Sequence, residues 1–124
     1  MLPLLLLLFG ILVLANAGTV LLLKRRIAVM PWWLALFAAW LAGAAVGVWA
    51  GVFFEYQPEP HVRIIGFPVP EACFIWQGPP GEEQWVDYVS PVPLLLILSN
   101  ILFWGLLAGC PVGLIYWMSH SRPR

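Results

Sequence analysis

Three long apolar runs dominate the pattern of hydrophobic and polar positions along the chain. They cover residues 2–23, 31–54 and 92–118, and polar or charged residues end each of them. A helix needs about 20 apolar residues to cross a bilayer core of about 30 Å, and backbone polar groups cannot stay unpaired in lipid. The pattern therefore predicts three transmembrane helices in a single membrane domain over residues 1–124.

The segment between the second and third runs, residues 55–90, has a different pattern. It is rich in proline, which excludes a long helix. Ala72–Gln77 is rich in β-branched and aromatic residues, Gln84–Val89 alternates, and a Gly-Pro-Pro-Gly turn lies between them. We expect a short β-hairpin with an extended lead-in at residues 62–67. The predicted fold class is an all-α membrane protein with three transmembrane helices and a small extracytoplasmic β-hairpin loop.

Composition agrees with lipid as the solvent of most of the chain. Apolar residues make up 62% of it and charged residues 10%, whereas a soluble domain carries about 25% charged residues. A soluble fold of 124 residues could not bury so much apolar surface. The chain also lacks a basic patch large enough for nucleic acid, so we expect no nucleic-acid partner.

The charges are distributed unevenly and predict an orientation. All six acidic residues lie between residues 55 and 87, whereas five of the six basic residues lie in Lys24–Arg26 and at Arg122 and Arg124. The positive-inside rule places these basic residues in the cytoplasm. The N-terminus and residues 55–90 are then expected outside.

A cleaved signal peptide is the alternative interpretation of the first run. Ala15-Asn16-Ala17 has the form of a cleavage site. However, a basic N-terminal region is lacking, and apolar residues continue to Leu23. These features favour an uncleaved first span.

Small residues recur at every fourth position in the second and third runs and predict close helix packing. They are Ala35, Ala39, Gly43, Gly47 and Gly51 in the second run, and Gly105, Gly109 and Gly113 in the third. In an antiparallel pair, we expect Gly43 to meet Gly105, Ala39 to meet Gly109, and Ala35 to meet Gly113. Gly47 and Gly51 would face Ile101 and Ile97, or a partner. The leucine-rich first run is expected to lie more peripherally.

Polar and aromatic residues suggest further contacts. Asn16 and Asn100 lie within apolar runs, where an asparagine usually bonds across a helix interface, although Asn100 could also contact a substrate or pigment. A lone hairpin is marginally stable in water, so we expect it to rest on the membrane surface or on a partner. The residues expected to make that contact are Phe67, Phe74, Trp76, Trp85 and Tyr88.

Two motifs carry a resemblance to a group of known proteins. The GFPVP sequence at residues 66–70 precedes an aromatic run, and W-x-D-Y-x-x-P at residues 85–91 precedes the third span. This pattern, over about residues 63–93, resembles the outer loops of small uncharacterised bacterial multi-span membrane proteins. The resemblance implies a bacterial inner membrane and brings no activity with it.

Few residues suggest catalysis or metal binding. The spans have no ionisable residue near their centres, where proton relays and ion pathways normally place one. His61 and His120 are expected on opposite sides of the membrane, and Cys73 and Cys110 are too far apart in the predicted topology to pair. We therefore expect no metal, no intrinsic cofactor and no enzymatic activity, while lipids or pigments could contact the spans.

Three functional hypotheses remain open at this point. The first is a non-catalytic accessory subunit of a larger bacterial membrane complex, of the respiratory or photosynthetic kind, with other membrane subunits as partners. The second is a homo-oligomeric pore or small transport protein similar to holins. The third, an enzyme that would use Glu71, Asp87 and His61, ranks last because no spacing fixes a site.

Overall fold

A computed structural model describes residues 2–89 and 93–122, with the backbone alone at residues 88 and 89. It contains three helices that are long and apolar enough to cross a membrane: α1 (Leu2–Arg25), α2 (Met30–Val52) and α3 (Pro93–His120). The prediction of three such helices is confirmed. Residues 90–92, where the third span was expected to begin, lie outside the described residues, as do residues 123 and 124.

The first two helices are joined by a tight turn. The Ala28 amide donates to the Leu23 carbonyl (3.0 Å) and the Ile27 amide to the Lys24 carbonyl (3.3 Å). These are the two bonds of a Schellman motif, which requires a left-handed residue just after the helix. Ile27 takes that position with a φ of 47°, although glycine is the usual residue there.

The segment after α2 forms a four-stranded antiparallel sheet in the order β1-β2-β3-β4. The strands are β1 (Glu55–Glu59), β2 (Val62–Ile65), β3 (Ala72–Gln77) and β4 (Gln84–Val89). The predicted hairpin is confirmed as β3 and β4, whose ladder runs from Ala72–Val89 to Gln77–Gln84.

The sheet is larger than the predicted hairpin, because the expected extended lead-in pairs with it. Val62–Ile65 pairs with Ala72–Ile75, and β1 pairs with β2. Strand β1 contains Pro58, and it lies at the edge of the sheet, where a residue without an amide hydrogen is tolerated. The ladder between β1 and β2 also shifts register between Tyr56 and Glu59.

The chain divides into two compact units, and α2 and α3 contribute to both. The first unit is Met1–Ala45 with Phe103–Arg124, and the second is Val46–Leu102. The core of the first unit is formed by Leu23, Leu36 and Tyr116. The second unit contains the sheet, the end of α2 and the start of α3.

Helix α1 is less peripheral than expected. It buries one face of the helix in the first unit: Leu12, Asn16, Thr19 and Leu23. These positions are three or four residues apart, so they lie along one side of the helix. Leu23 is fully buried.

Candidate functional site

Close approach between α2 and α3 in the first unit occurs at Gly43. A Cβ atom at Gly43 would overlap the Trp104 carbonyl oxygen and lie 2.7 Å from the Ala108 Cβ and 2.8 Å from the Gly105 Cα. Such distances leave no room for a side chain. The structure therefore brings together Gly43 and Gly105, the first pair of the predicted seam.

The other predicted pairs of the seam are different in the structure. A Cβ at Gly109 would overlap Asn16 of α1 and Trp40 of α2, and a Cβ at Gly113 would overlap Thr19 of α1. The atoms nearest to these glycines thus belong to Asn16 and Thr19 of α1 and to Trp40 of α2, and not to Ala39 or Ala35. Ala39 is half-buried and Ala35 is exposed.

Helix geometry explains why the small residues at the start of α2 do not make the predicted contacts. Four residues turn an α-helix by about 400°, so a stripe with a spacing of four drifts by about 40° at each step. In the first unit, α2 instead turns Leu36, Trp40 and Gly43 inward, with alternating spacings of four and three. Ala35 has rotated out of this line.

Asn16 forms the main polar contact among the helices of the first unit. Its Nδ2 donates to the carbonyls of Leu12 (2.9 Å) and Leu106 (2.8 Å), and its Oδ1 accepts from Nε1 of Trp40 at 2.8 Å. Asn16 is only 4% exposed. One side chain thereby links all three helices, as expected for an asparagine that acts as structural glue.

Asn100 of α3 has an equivalent role in the second unit. Its Nδ2 donates to the Val69 carbonyl and its Oδ1 accepts from the Val69 amide, both at 2.9 Å. Asn100 is fully buried. The carboxamide thus pairs with both polar groups of one backbone residue, and we call this arrangement the Asn100–Val69 clamp. Each end of the amide makes one hydrogen bond in the clamp, and the side chain has no exposed surface through which a substrate or pigment could reach it.

Glycines of α2 make room for this clamp. A Cβ at Gly51 would lie 3.3 Å from the Asn100 Nδ2, and one at Gly47 would lie 2.6 Å from the Ile101 Cα. Gly47 thus faces Ile101 as predicted, but Gly51 faces Asn100 and not Ile97. The described contacts place both glycines at a close approach of α2 and α3 within the second unit.

The segment held by the clamp also closes the end of α2. The Phe67 amide donates to the Ala50 carbonyl, and the Gly66 amide to the Phe54 carbonyl, each at 3.0 Å. The last carbonyls of a helix have no partner within the helix itself. Residues 66–69 therefore provide a hydrogen-bond donor for a carbonyl in the last turn of α2, and Asn100 holds these residues to α3.

The two faces of the sheet carry different side chains. Residues opposite one another in antiparallel strands share a face. Phe74 lies opposite Arg63 and Asp87, and Trp76 lies opposite Trp85. The tryptophan face is defined by Arg63, Phe74, Trp76 and Trp85, and the aliphatic face by Val62, Ile64, Ile75 and Val86.

Polar contacts order the tryptophan face. The Trp76 and Trp85 rings meet edge to face with centroids 5.3 Å apart, and the Arg63 guanidinium lies 5.1 Å from the centroid of Trp85. Arg63 also forms an ion pair with Glu55, and Trp76 Nε1 donates to Glu83 at 3.1 Å. These contacts hold the aromatic rings of the tryptophan face in place.

Neither face of the sheet is covered by a core. No strand residue whose side chain the structure describes is buried, and Val62–Ile65 and Ala72–Trp76 are half-buried throughout. Three of the predicted contact residues, Phe74, Trp76 and Trp85, share the tryptophan face. Phe67 packs instead against Phe54, with ring centroids 6.2 Å apart, and the side chain of Tyr88 lies outside the described residues.

Two of the residues considered for an enzyme, His61 and Glu71, lie at opposite ends of β3. His61 bonds through its carbonyl to the Trp76 amide, whereas Glu71 precedes Ala72, at the other end of β3. At about 3.3 Å per residue, these ends are about 16 Å apart. Burial raises the pKa of Glu71, whose Oε2 is buried without a hydrogen-bond partner among the described residues. No potential metal-binding cluster occurs in the described part of the chain.

An aromatic cluster marks the end of α3 in the first unit. His120 stacks on Tyr116 with centroids 4.2 Å apart, and Trp32 meets Tyr116 edge to face at 4.9 Å. Nη1 of Arg26 donates to the His120 carbonyl at 2.8 Å. His120 thus packs at the end of α3. Neither cysteine of the chain forms a disulfide bond.

Comparison with known proteins gives no relative from which a role could be transferred. No protein-family model, curated protein or solved structure matches the chain. The function must therefore be argued from the two buried asparagines, the glycine contacts and the open sheet.

Proposed function

We propose that this protein is a non-catalytic accessory subunit of a larger bacterial membrane complex. It would lie in the inner membrane, with its N-terminus and sheet outside and its C-terminus in the cytoplasm, as the charge distribution predicts. A respiratory or photosynthetic assembly would be a suitable host.

The open sheet is the observation that carries this proposal. An apolar face of a sheet is normally buried against another element, yet the described side chains of these four strands are at most half-buried on both faces. Tryptophan and arginine are enriched at protein interfaces, particularly among the residues that contribute most to binding. The tryptophan face supplies both residue types in a preordered arrangement, so we assign the partner to this face.

The buried polar groups of the helices support the same role. Asn16, Thr19 and Asn100 each bond to backbone or side-chain groups within the chain. In transporters, polar groups within spans commonly serve substrates or ions. Here they are used to hold the chain together, which suits a protein that contributes structure.

Site-specific photocross-linking in native membranes tests the proposal. A benzoylphenylalanine at Phe74 would present the cross-linker on the tryptophan face, and the matched control at Ile75 would present it on the aliphatic face, one residue away. We expect Phe74 to capture a distinct membrane protein, identified by mass spectrometry, and Ile75 to capture little of it.

The other outcomes contradict the accessory role. Cross-links from Phe74 only to further copies of this chain, with conductance in liposomes, would favour the homo-oligomeric pore. No cross-link from either position, together with a monomer on a native gel, would exclude a stable complex through the sheet.

A further inference from the structure

Two grooves lie side by side at the end of α3 and share an arginine. One, of about 420 Å³, is lined by Ile115, Met118, Ser119 and Arg122. The other, of about 320 Å³, is lined by Trp117, Met118, Ser121 and Arg122. Met118 and Arg122 line both grooves.

The chemistry of each groove changes in the same order along the chain. An apolar or aromatic side chain comes first, at Ile115 or Trp117, and these are 52% and 53% exposed. Hydroxyl groups follow at Ser119 and Ser121, and the guanidinium of Arg122 comes last. A phospholipid has the same order along its length: acyl chains, polar ester linkages and then a phosphate. An exposed apolar surface that ends at a cation suits a lipid whose acyl chains lie along that surface.

The charge of the first unit selects an anionic ligand. Residues 1–45 and 103–124 contain five basic residues and no Asp or Glu. Arg26 reaches the same end of α3, where its Nη1 donates to the His120 carbonyl. A guanidinium has five N–H donors, so this single bond leaves others available for a phosphate. Basic pockets beside spanning helices are a recognised way to bind anionic headgroups.

We propose that these grooves bind one anionic phospholipid, with its phosphate at Arg122 and its acyl chains along the exposed apolar side chains that line the grooves. Arg26 adds positive charge at the same end of α3. The proposal rests on the membrane topology given above and not on the accessory role, so it would stand even if no partner protein were found.

Native mass spectrometry in detergent micelles tests this site. The protein would be titrated with dioleoylphosphatidylglycerol, and with dioleoylphosphatidylcholine as the zwitterionic comparison. We expect preferential binding of one phosphatidylglycerol. Arg122→Gln should weaken that binding roughly five-fold, the factor that corresponds to one cation near an anionic headgroup, and Arg26→Gln combined with it should weaken binding further.

Arg25→Gln is the matched control, because it removes the same charge from a residue that does not line the grooves. Its affinity should remain within about two-fold of the original protein, since Arg25 cannot contact the phosphate from outside the grooves and solvent screens its charge. Equal losses of lipid affinity in Arg25→Gln and Arg122→Gln would show that general charge attraction, and not this site, accounts for the binding. That result would overturn the proposal.

Two further results would also overturn it. Equal binding of phosphatidylcholine and phosphatidylglycerol would show that the phosphate end is not recognised through an excess of positive charge. Displacement of the lipid by glycerol phosphate at equal concentration would show that the apolar side chains of the grooves contribute nothing to the affinity. The ligand would then be a soluble phosphate compound.

Discussion

Replacing Asn100 by leucine should release residues 66–69 from α3. Asn100 is fully buried, and both ends of its carboxamide bond to Val69 at 2.9 Å. Leucine has a similar shape but can neither donate nor accept a hydrogen bond. The Asn100→Leu variant therefore removes both hydrogen bonds of the clamp while it keeps a side chain with the same branching.

The magnitude follows from the number of groups that lose a partner. The substitution removes two hydrogen bonds and leaves the Val69 amide and carbonyl unpaired. A buried backbone group without a partner costs about 1–3 kcal/mol. Relaxation of the segment toward water would recover part of this, so we expect a net loss of about 2–4 kcal/mol of unfolding free energy.

The assay combines a global and a local measurement. Unfolding in mixed detergent and dodecyl sulfate micelles gives the free energy, and amide hydrogen exchange at Val69 reports the clamp itself. Ser99→Ala is the matched control, because the Ser99 hydroxyl donates to the Leu95 carbonyl of its own helix at 2.8 Å. It should change stability by no more than about 0.5 kcal/mol.

Equal exchange at Val69 in the Asn100→Leu and Ser99→Ala variants would refute this reasoning. So would a stability loss in Asn100→Leu without faster exchange at Val69, because the loss would then come from elsewhere in the second unit.

Three further predictions concern backbone space, strain and charge. Gly43→Val should lower the unfolding free energy in mixed micelles by about 2 kcal/mol or more, because a Cβ would overlap the Trp104 carbonyl oxygen. Gly10→Ala is the control and should not lower it, because a Cβ at Gly10 has no atom within 4 Å. Ile27→Gly should raise the same quantity by about 1 kcal/mol, since it relieves a left-handed residue that is 89% exposed; no gain would exclude strain there. Burial raises the pKa of Glu71 above its ordinary value of 4.5, so the native state binds a proton more tightly and stability should fall as the pH rises above that value. Glu71→Gln should flatten that part of the stability profile measured against pH, and an unchanged slope would contradict the assignment.

The sheet shows what local sequence can predict and where it fails. The bounds of β3 and β4 were predictable because β-branched and aromatic residues surround a Gly-Pro-Pro-Gly turn. The pairing of β1 was not, because Pro58 is unfavourable in a central strand and acceptable at an edge. Edge position depends on strand order, which is a property of the whole sheet.

The helix contacts fail for a related reason. Spacing by four residues correctly indicated close approach at Gly43, Gly47, Gly105 and other glycines that the structure buries. It could not indicate that Asn16 and Thr19 of α1 would fill the space beside Gly109 and Gly113. The partners of the asparagines, Trp40 and the backbone of Val69, likewise depend on three-dimensional position, since any carbonyl or indole could have served.

The two asparagines and the sheet represent opposite solutions to the cost of unpaired groups. Asn16 and Asn100 bring polar groups into apolar surroundings and satisfy them within the chain, which fixes the helices of the first unit and the segment after β2 in the second. The strands of the sheet form backbone hydrogen bonds with one another, but the side chains of Phe74, Trp76 and Trp85 are only half-buried. A polar group without a partner costs about 1–3 kcal/mol, whereas apolar area left in water forgoes about 25 cal/mol per Å². The first cost must be met as the chain folds, and the second can be recovered later by binding. This difference is why we propose that the buried asparagines stabilise the fold of the chain itself and that the tryptophan face binds a partner.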